Sequence, residues 1–172
     1  MTTKNIDSGA IISYCRLYRY QLWRTWDPHL PRCAFVMLNP STADAHDDDP
    51  TIRRCVGFAK SWGFGGIFVV NVFAFRATKP ADLRKAADPV GPHNGKALVT
   101  VARACSRVVV AWGAACRWRG RPLSDRQALT IIRGCQVGEP VLCLGKTKAG
   151  FPRHPLYVKG NTVPLEYGEA PR

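Results

Sequence analysis

The stretch FVMLNPSTADAHDDDPTIRRC, residues 35–55, carries the strongest structural signals in the chain. Its first residues continue an apolar run that begins at Cys33, which is typical of a strand buried on both faces of a sheet. Asn39-Pro40 ends this strand, and Asp49-Pro50 supplies a helix N-cap followed by proline at the first helical position. The stretch therefore predicts a strand, a polar turn and a helix over 51–63.

The same order of strand and helix recurs through the rest of the chain. Apolar strands are predicted at 66–75, 107–113 and 140–145. Helices are predicted from Asn94 to Cys105 and over 124–135, and a loop with one helical turn over 79–94. Alternating strands and helices indicate an α/β fold, here a three-layer α/β/α arrangement with a mostly parallel central sheet. We expect residues 1–172 to form a single domain.

The N-terminal part has a different pattern. Over 12–26, aromatic and β-branched residues alternate with arginines, and the turn-rich DPHLPR separates them from the apolar run CAFVML at 33–38. This pattern predicts an N-terminal antiparallel hairpin, with the second strand lying deeper in the sheet.

Composition narrows the class of protein. The formal net charge is +13, spread along the chain, which favours an anionic partner such as DNA or a nucleotide, although it would also serve solubility. No apolar run approaches the roughly 18 residues of a membrane span, so we expect a soluble, cytoplasmic protein with no membrane partner. We also expect a monomer. The seven cysteines include no C-x-x-C pair, and we expect no metal centre and no cofactor.

Chemically capable side chains follow the predicted strands. In parallel sheets ligands bind beyond the carboxyl ends of the strands, where the loops converge. The candidates in these loops are Asn39, Ser41, Asn71, Phe73, Trp112 and His154. The amide of Asn71 suits the edge of a nucleobase, or else it ties down a neighbouring loop. His154, whose backbone is fixed by the following proline, is the best acid/base or anion-stabilising candidate.

The acidic turn has two interpretations. In the first, Asp49 caps the helix, its acidic neighbours favour the positive helix end, and Arg53 and Arg54 neutralise the acids. In the second, an acid at a strand end positions water or binds Mg²⁺, as in a metal-assisted phosphoesterase or transferase. The acids available for that chemistry are Asp44, Asp47, Asp48 and Asp49.

Short motifs at the predicted strand ends resemble those of the uracil-DNA glycosylase superfamily in order and spacing. They are MLNPS (37–41), VVNVFAFRA (69–77), VVVAWGAAC (108–116) and RHPLYV (153–158). The full set LNPSTAD, DDPTIRRC, NVFAFRAT, DPVGP and RHPLY also resembles a bacterial and phage domain family described mainly as of unknown function.

The glycosylase resemblance implies a role for each matching residue. Asn39 would orient the attacking water, Asn71 would bind the base, and His154 would stabilise the departing base anion. Ser41, Phe73 and Trp112 would complete the base site, although the aromatic residues also suit core packing. The basic residues expected to hold phosphates are Arg53, Arg76, Arg153 and Lys146.

The expected activity is hydrolysis of the N-glycosidic bond of a modified or damaged pyrimidine that is flipped out of DNA. One departure from the glycosylase pattern is Leu156-Tyr157, which stands where that superfamily has a serine that contacts the DNA backbone. The alternative function is a non-catalytic module on the same fold that binds a nucleic acid or nucleotide.

Overall fold

The fold is an α/β arrangement built on one seven-stranded mixed sheet. A computed structural model describes residues 7–116 and 125–168. The strands are β1 (Asp7–Ile12), β2 (Arg19–Thr25), β3 (Arg32–Met37), β4 (Gly66–Asn71), β5 (Arg107–Val110), β6 (Leu142–Cys143) and β7 (Leu165–Glu166). The helices are α1 (Pro50–Ser61), α2 (Pro80–Lys85), α3 (Asn94–Ala104) and α4 (Asp125–Cys135).

The strands lie in the order β1-β2-β4-β3-β5-β6-β7. The central strands β4, β3, β5 and β6 run parallel to one another, as expected for strands joined by helices. Antiparallel pairings add β1 and β2 at one edge and β7 at the other, so the sheet is mixed rather than mostly parallel. The six-residue strand β1 and the two-residue strand β7 are additions to the sequence-based prediction.

The central strands are buried on both faces because alternate side chains enter two separate cores. Ala34 and Val36 of β3 belong to a core that includes residues of α3 and α4. Cys33 and Phe35 point the other way, into a core that includes residues of α1. Helices therefore cover both faces of the sheet, in agreement with the three layers inferred from the alternation of strands and helices.

The N-terminal hairpin predicted between 12–26 and 33–38 is not formed. β2 pairs with β1 and β4, and β4 separates it from β3. The physical reason is that α1 connects β3 to β4 as a crossover. β4 therefore pairs parallel with β3 and occupies the position beside β3 that the hairpin would need. β2 adds to the far side of β4 instead.

The order of the strands gives the sheet a topological switch point at β3, where successive connections leave in opposite directions. The chain leaves β3 for β4 on one side, and later returns to β5 on the other side. In open α/β sheets a crevice forms where successive connections leave a strand in opposite directions. No helix among the described residues is long and apolar enough to cross a membrane.

Candidate functional site

A cavity of about 420 Å³ opens at the carboxyl ends of β3, β4 and β5, at the switch point. This volume lies in the range of about 300–1,000 Å³ that small-molecule sites occupy. The sequence-predicted residues that line it are Asn39, Ser41, Asn71, Trp112 and His154. The structure therefore brings both amides and the imidazole to one cavity.

The first two loops at this edge are fastened together through Asn39. Met37 and Asn71 are register partners at the ends of β3 and β4. Beyond them, the side-chain nitrogen Nδ2 of Asn39 donates to the backbone carbonyls of Ala77, at 2.7 Å, and of Pro40, at 3.0 Å. Because carbonyl oxygens only accept, the amide nitrogen must face them, and the oxygen Oδ1 keeps its acceptor capacity. Oδ1 has no partner among the described residues.

Asn71 has an unusual environment for a polar side chain. It is 1% exposed and lines the cavity, yet neither its Nδ2 nor its Oδ1 has a hydrogen-bond partner within the described ranges. Burial of an amide without hydrogen bonds costs roughly 1–3 kcal/mol. Within the described ranges the side chain of Asn71 makes no hydrogen bond to a neighbouring loop, which was the alternative raised by the sequence. Its donor and acceptor are available to a ligand in the cavity.

A second buried asparagine supports the first. Asn94, at the start of α3, is fully buried and donates from Nδ2 to the backbone carbonyls of Asn71, at 3.0 Å, and Val72, at 2.9 Å. These bonds fix the backbone where β4 ends. From its sequence position Asn94 is simply a residue at a helix start, so its role as a support for the site was not predicted.

His154 reaches the cavity because the segment around it is held at several points. The amide of Gly113 donates to the carbonyl of Pro152, at 2.9 Å. Gly113 itself has φ +73°, a conformation that glycine adopts without strain. From α1, the guanidinium of Arg54 donates to the carbonyls of Pro155 and Val158. These contacts join the last loop to the loop after β5 and to the start of α1.

The protonation state of His154 follows from its partners. Its Nδ1 accepts a hydrogen bond from the backbone amide of Leu156, at 3.3 Å, so the proton of the neutral ring lies on Nε2. Burial lowers the pKa of His154, and the negative charge of Asp49 opposes this effect. At neutral pH the ring is therefore an uncharged N–H donor.

The two predicted aromatic residues differ in position. Trp112 is 1% exposed and packs in the core against Tyr167, but it also lines the cavity, and its indole nitrogen has no partner among the described residues. Phe73 is fully buried in the core that includes residues of α3 and is not among the residues lining the cavity. The lining of the cavity therefore gives no support to its predicted contact with a base, which stays a prediction.

Sequence reasoning missed a buried cation at the cavity. Arg19 is 3% exposed, and its guanidinium Nη1 donates to the carbonyl of Ala43, at 2.6 Å, while Nε has no partner within the described ranges. Burial lowers the pKa of Arg19 to about 10, so the side chain is charged at neutral pH. Arg19 begins β2, which runs antiparallel to β4, and this direction places it at the edge where the parallel strands end.

The acidic turn is largely explained by local structure. Asp49 caps α1 by accepting from the amide of Ile52, at 2.9 Å. Asp44 accepts from the amides of His46 and Asp47, which lowers its pKa. These contacts agree with the first interpretation of the turn.

The arginine that neutralises the acidic turn is not one of the two that were predicted, Arg53 and Arg54. Asp48 forms an ion pair with the buried Arg24, at 2.8 Å. Arg53 donates to a backbone carbonyl, and Arg54 holds the segment around His154. In the described part of the chain no three His, Cys, Asp or Glu side chains group in a way that could hold a metal ion.

The predicted phosphate-binding residues are dispersed. Arg53, Arg153 and Lys146 are exposed and line neither of the cavities at this edge, and the ammonium of Lys146 lies 5.3 Å from the ring centre of Tyr167. Arg76 is the exception. It lines a second, smaller cavity that adjoins the first.

The fold and this edge define an α/β domain with a polar cavity at the switch point of its sheet. Residues 19–156 match the family described as "Protein of unknown function (DUF1643)", and the chain belongs to that family. No curated protein and no solved structure matches the chain. The similarity to uracil-DNA glycosylases remains a prediction from short motifs.

Proposed function

We propose that this protein binds a nucleobase in the cavity and hydrolyses its N-glycosidic bond, acting on a modified or damaged pyrimidine in DNA. The observation that carries the proposal is the amide of Asn71, which is buried at the cavity with donor and acceptor both unused by the described residues. A pyrimidine edge offers an adjacent acceptor and donor, which is the pattern that an amide complements. Binding of such a base would offset the cost of burying the amide.

The other cavity residues suit the bond cleavage. In this reaction the bond between the base and C1′ of the sugar breaks, and a water oxygen forms a new bond to C1′ after losing a proton to solvent. Oδ1 of Asn39, an acceptor without a partner among the described residues, would orient that water. The neutral Nε2–H of His154 would donate to the base as it leaves as an anion, which takes its proton from solvent on release.

Charge supports the same assignment. Arg19 places a buried positive charge at the cavity, which favours the negative charge that develops on the departing base. The net charge of +13 favours association with a polyanion. The ion pair between Asp48 and Arg24 offsets part of the acidity of the neighbouring turn.

The proposal is tested by incubation of the protein with oligonucleotides that contain uracil, hydroxymethyluracil or other modified pyrimidines, followed by alkali to cleave abasic sites. We expect strand cleavage with the wild type and its loss in Asn39→Ala, with Asn161→Ala, an exposed asparagine, as the matched control. Binding without abasic product would favour the non-catalytic module. Activity that needs Mg²⁺ and is lost with a chelator would favour the metal-assisted alternative.

A further inference from the structure

The smaller cavity beside the base site has the chemistry of an anion site. Its volume is about 250 Å³, and its polar lining consists of Arg16, Ser41, Thr42, Arg76 and Thr78. Two guanidinium groups and three hydroxyls line it, and no carboxylate of the described residues does. Guanidinium groups bind phosphate through paired N–H donors, and hydroxyls add neutral donors.

No ion pair within the described part of the chain balances the positive charge of this cavity. Arg76 is partly buried, and its Nε is buried without a hydrogen-bond partner in the described part of the chain. Its Nη1 makes one long contact, 3.4 Å, to the carbonyl of Arg16. The nearby charge of Arg19 adds to the positive field, as its pKa is lowered in part by Arg76. The positive charge of Arg76 contributes slightly to the lowered pKa of Asp44, a carboxylate that already accepts hydrogen bonds from two backbone amides.

The local backbone fixes both arginines at the rim. The amide of Arg76 donates to the carbonyl of Leu17, at 2.9 Å, and Tyr18 and Phe75 form an antiparallel bridge. Arg16 occupies the left-handed region at φ +60°, which is uncommon for a residue other than glycine. The turn between β1 and β2 is therefore held against the segment that follows β4.

The two cavities are continuous in their walls, since Ser41, Ala77 and Thr78 line both. We propose that the smaller cavity binds a phosphate group of the molecule whose base enters the larger one, so that the protein binds a nucleotide unit and not a base alone. This inference rests on the proposed function for the base, whereas the phosphate site itself does not. The phosphate would belong either to a polynucleotide backbone or to a free mononucleotide.

The first experiment uses inorganic phosphate as the probe and follows backbone amide signals by NMR. Wild-type protein should show shifts at Ser41, Thr42 and Thr78, and the double variant Arg16→Gln/Arg76→Gln should bind phosphate at least about tenfold more weakly. Arg103→Gln is the matched control, because Arg103 is exposed near the end of α3 and lines neither cavity. Equal phosphate binding by the wild type and the double variant would overturn the inference.

The second experiment distinguishes the source of the phosphate. A nucleoside 5′-monophosphate and a short single-stranded oligonucleotide are titrated at several salt concentrations. If the site holds a backbone phosphate, the double variant should reduce the slope of log affinity against log salt by about one for the oligonucleotide. Selective loss of mononucleotide binding would assign the site to a free nucleotide, and unchanged binding of both ligands would contradict the inference.

Further variants separate this inference from the proposed function. Asn71→Leu should lose base binding and keep phosphate binding. The double variant should lose the binding of free phosphate and keep the binding of a free base. A protein that binds phosphate here but releases no base would contradict the glycosylase proposal alone. If the double variant does not fold, the single variants Arg16→Gln and Arg76→Gln provide the same comparison, with thermal unfolding as the check.

Discussion

The side-chain amide of Asn39 donates to the backbone carbonyl of Ala77 across 2.7 Å, and this bond joins the loop after β3 to the loop after β4. Nδ2 of Asn39 thus stabilises the structure, while Oδ1 remains an acceptor that can bind a water molecule. Separate effects on stability and on activity are therefore expected when the side chain is removed.

Asn39→Ala should lower the free energy of unfolding by about 1 kcal/mol, because it removes hydrogen bonds to two backbone carbonyls. It should reduce base release at least about 100-fold, because no group then orients the water. Urea unfolding and single-turnover base release measure the two effects. A variant that keeps wild-type base release would contradict the assigned role.

Asn71 and Asn94 form a natural comparison of two buried asparagines. Asn94→Ala removes donors from two buried carbonyls and should cost about 2–3 kcal/mol of unfolding free energy. Asn71→Leu replaces an amide without partners in the described ranges by an apolar group of similar shape, and should leave stability unchanged or raise it by about 1 kcal/mol. Denaturant unfolding of both variants checks the contrast. Strong destabilisation by Asn71→Leu would mean that the amide has a structural role.

His154 should titrate below its ordinary pKa of 6.5, because burial disfavours the charged ring. The unfolded chain then binds a proton more readily than the folded one, so this residue contributes stability that is present above pH 6.5 and is lost as pH falls through the folded pKa. NMR titration of the ring gives the pKa directly. The difference in unfolding free energy between wild type and His154→Gln should shrink as the pH is lowered. A ring pKa above 6.5 would contradict the prediction.

The acidic turn should be important for stability. Asp48→Asn weakens the partner of Arg24, which is 1% exposed, and should lower the free energy of unfolding by about 2 kcal/mol. Asp47→Asn changes an exposed neighbour whose side chain makes no hydrogen bond with the described residues and should stay within about 0.5 kcal/mol. Thermal and urea unfolding compare the two variants. Equal stabilities would show that the ion pair contributes little.

Much of the central fold could be predicted because its signals are local. The apolar run of β3, the Asp49 cap and the Pro50 start of α1 lie within one stretch, and the structure places these elements there. The pairing of β2 was predicted wrongly because sequence adjacency does not decide which strand fills the place beside β3. β7 was not predicted because a strand of two exposed residues carries no hydrophobic pattern.

The site residues also divide into those with a local sequence signal and those whose position depends on how the strands pair. Asn39 and Asn71 could be brought together from sequence because parallel strands end at one edge of a sheet. The place of Arg19 at this site could not be predicted, because it depends on β2 pairing antiparallel with β4, which no local pattern specifies. Phe73 lies in the core and not in the cavity lining, a distinction that the sequence pattern could not make because an aromatic residue after a buried strand suits both positions.

The most direct measurement is the NMR signal of the Asn71 side-chain amide during titration with pyrimidine bases and nucleosides, the signal being assigned by its absence in Asn71→Leu. We expect a ligand that binds in the cavity to shift this signal and to lose its affinity in Asn71→Leu. A pyrimidine that binds in the cavity without moving the Asn71 signal, or that binds Asn71→Leu as tightly as the wild type, would contradict this expectation.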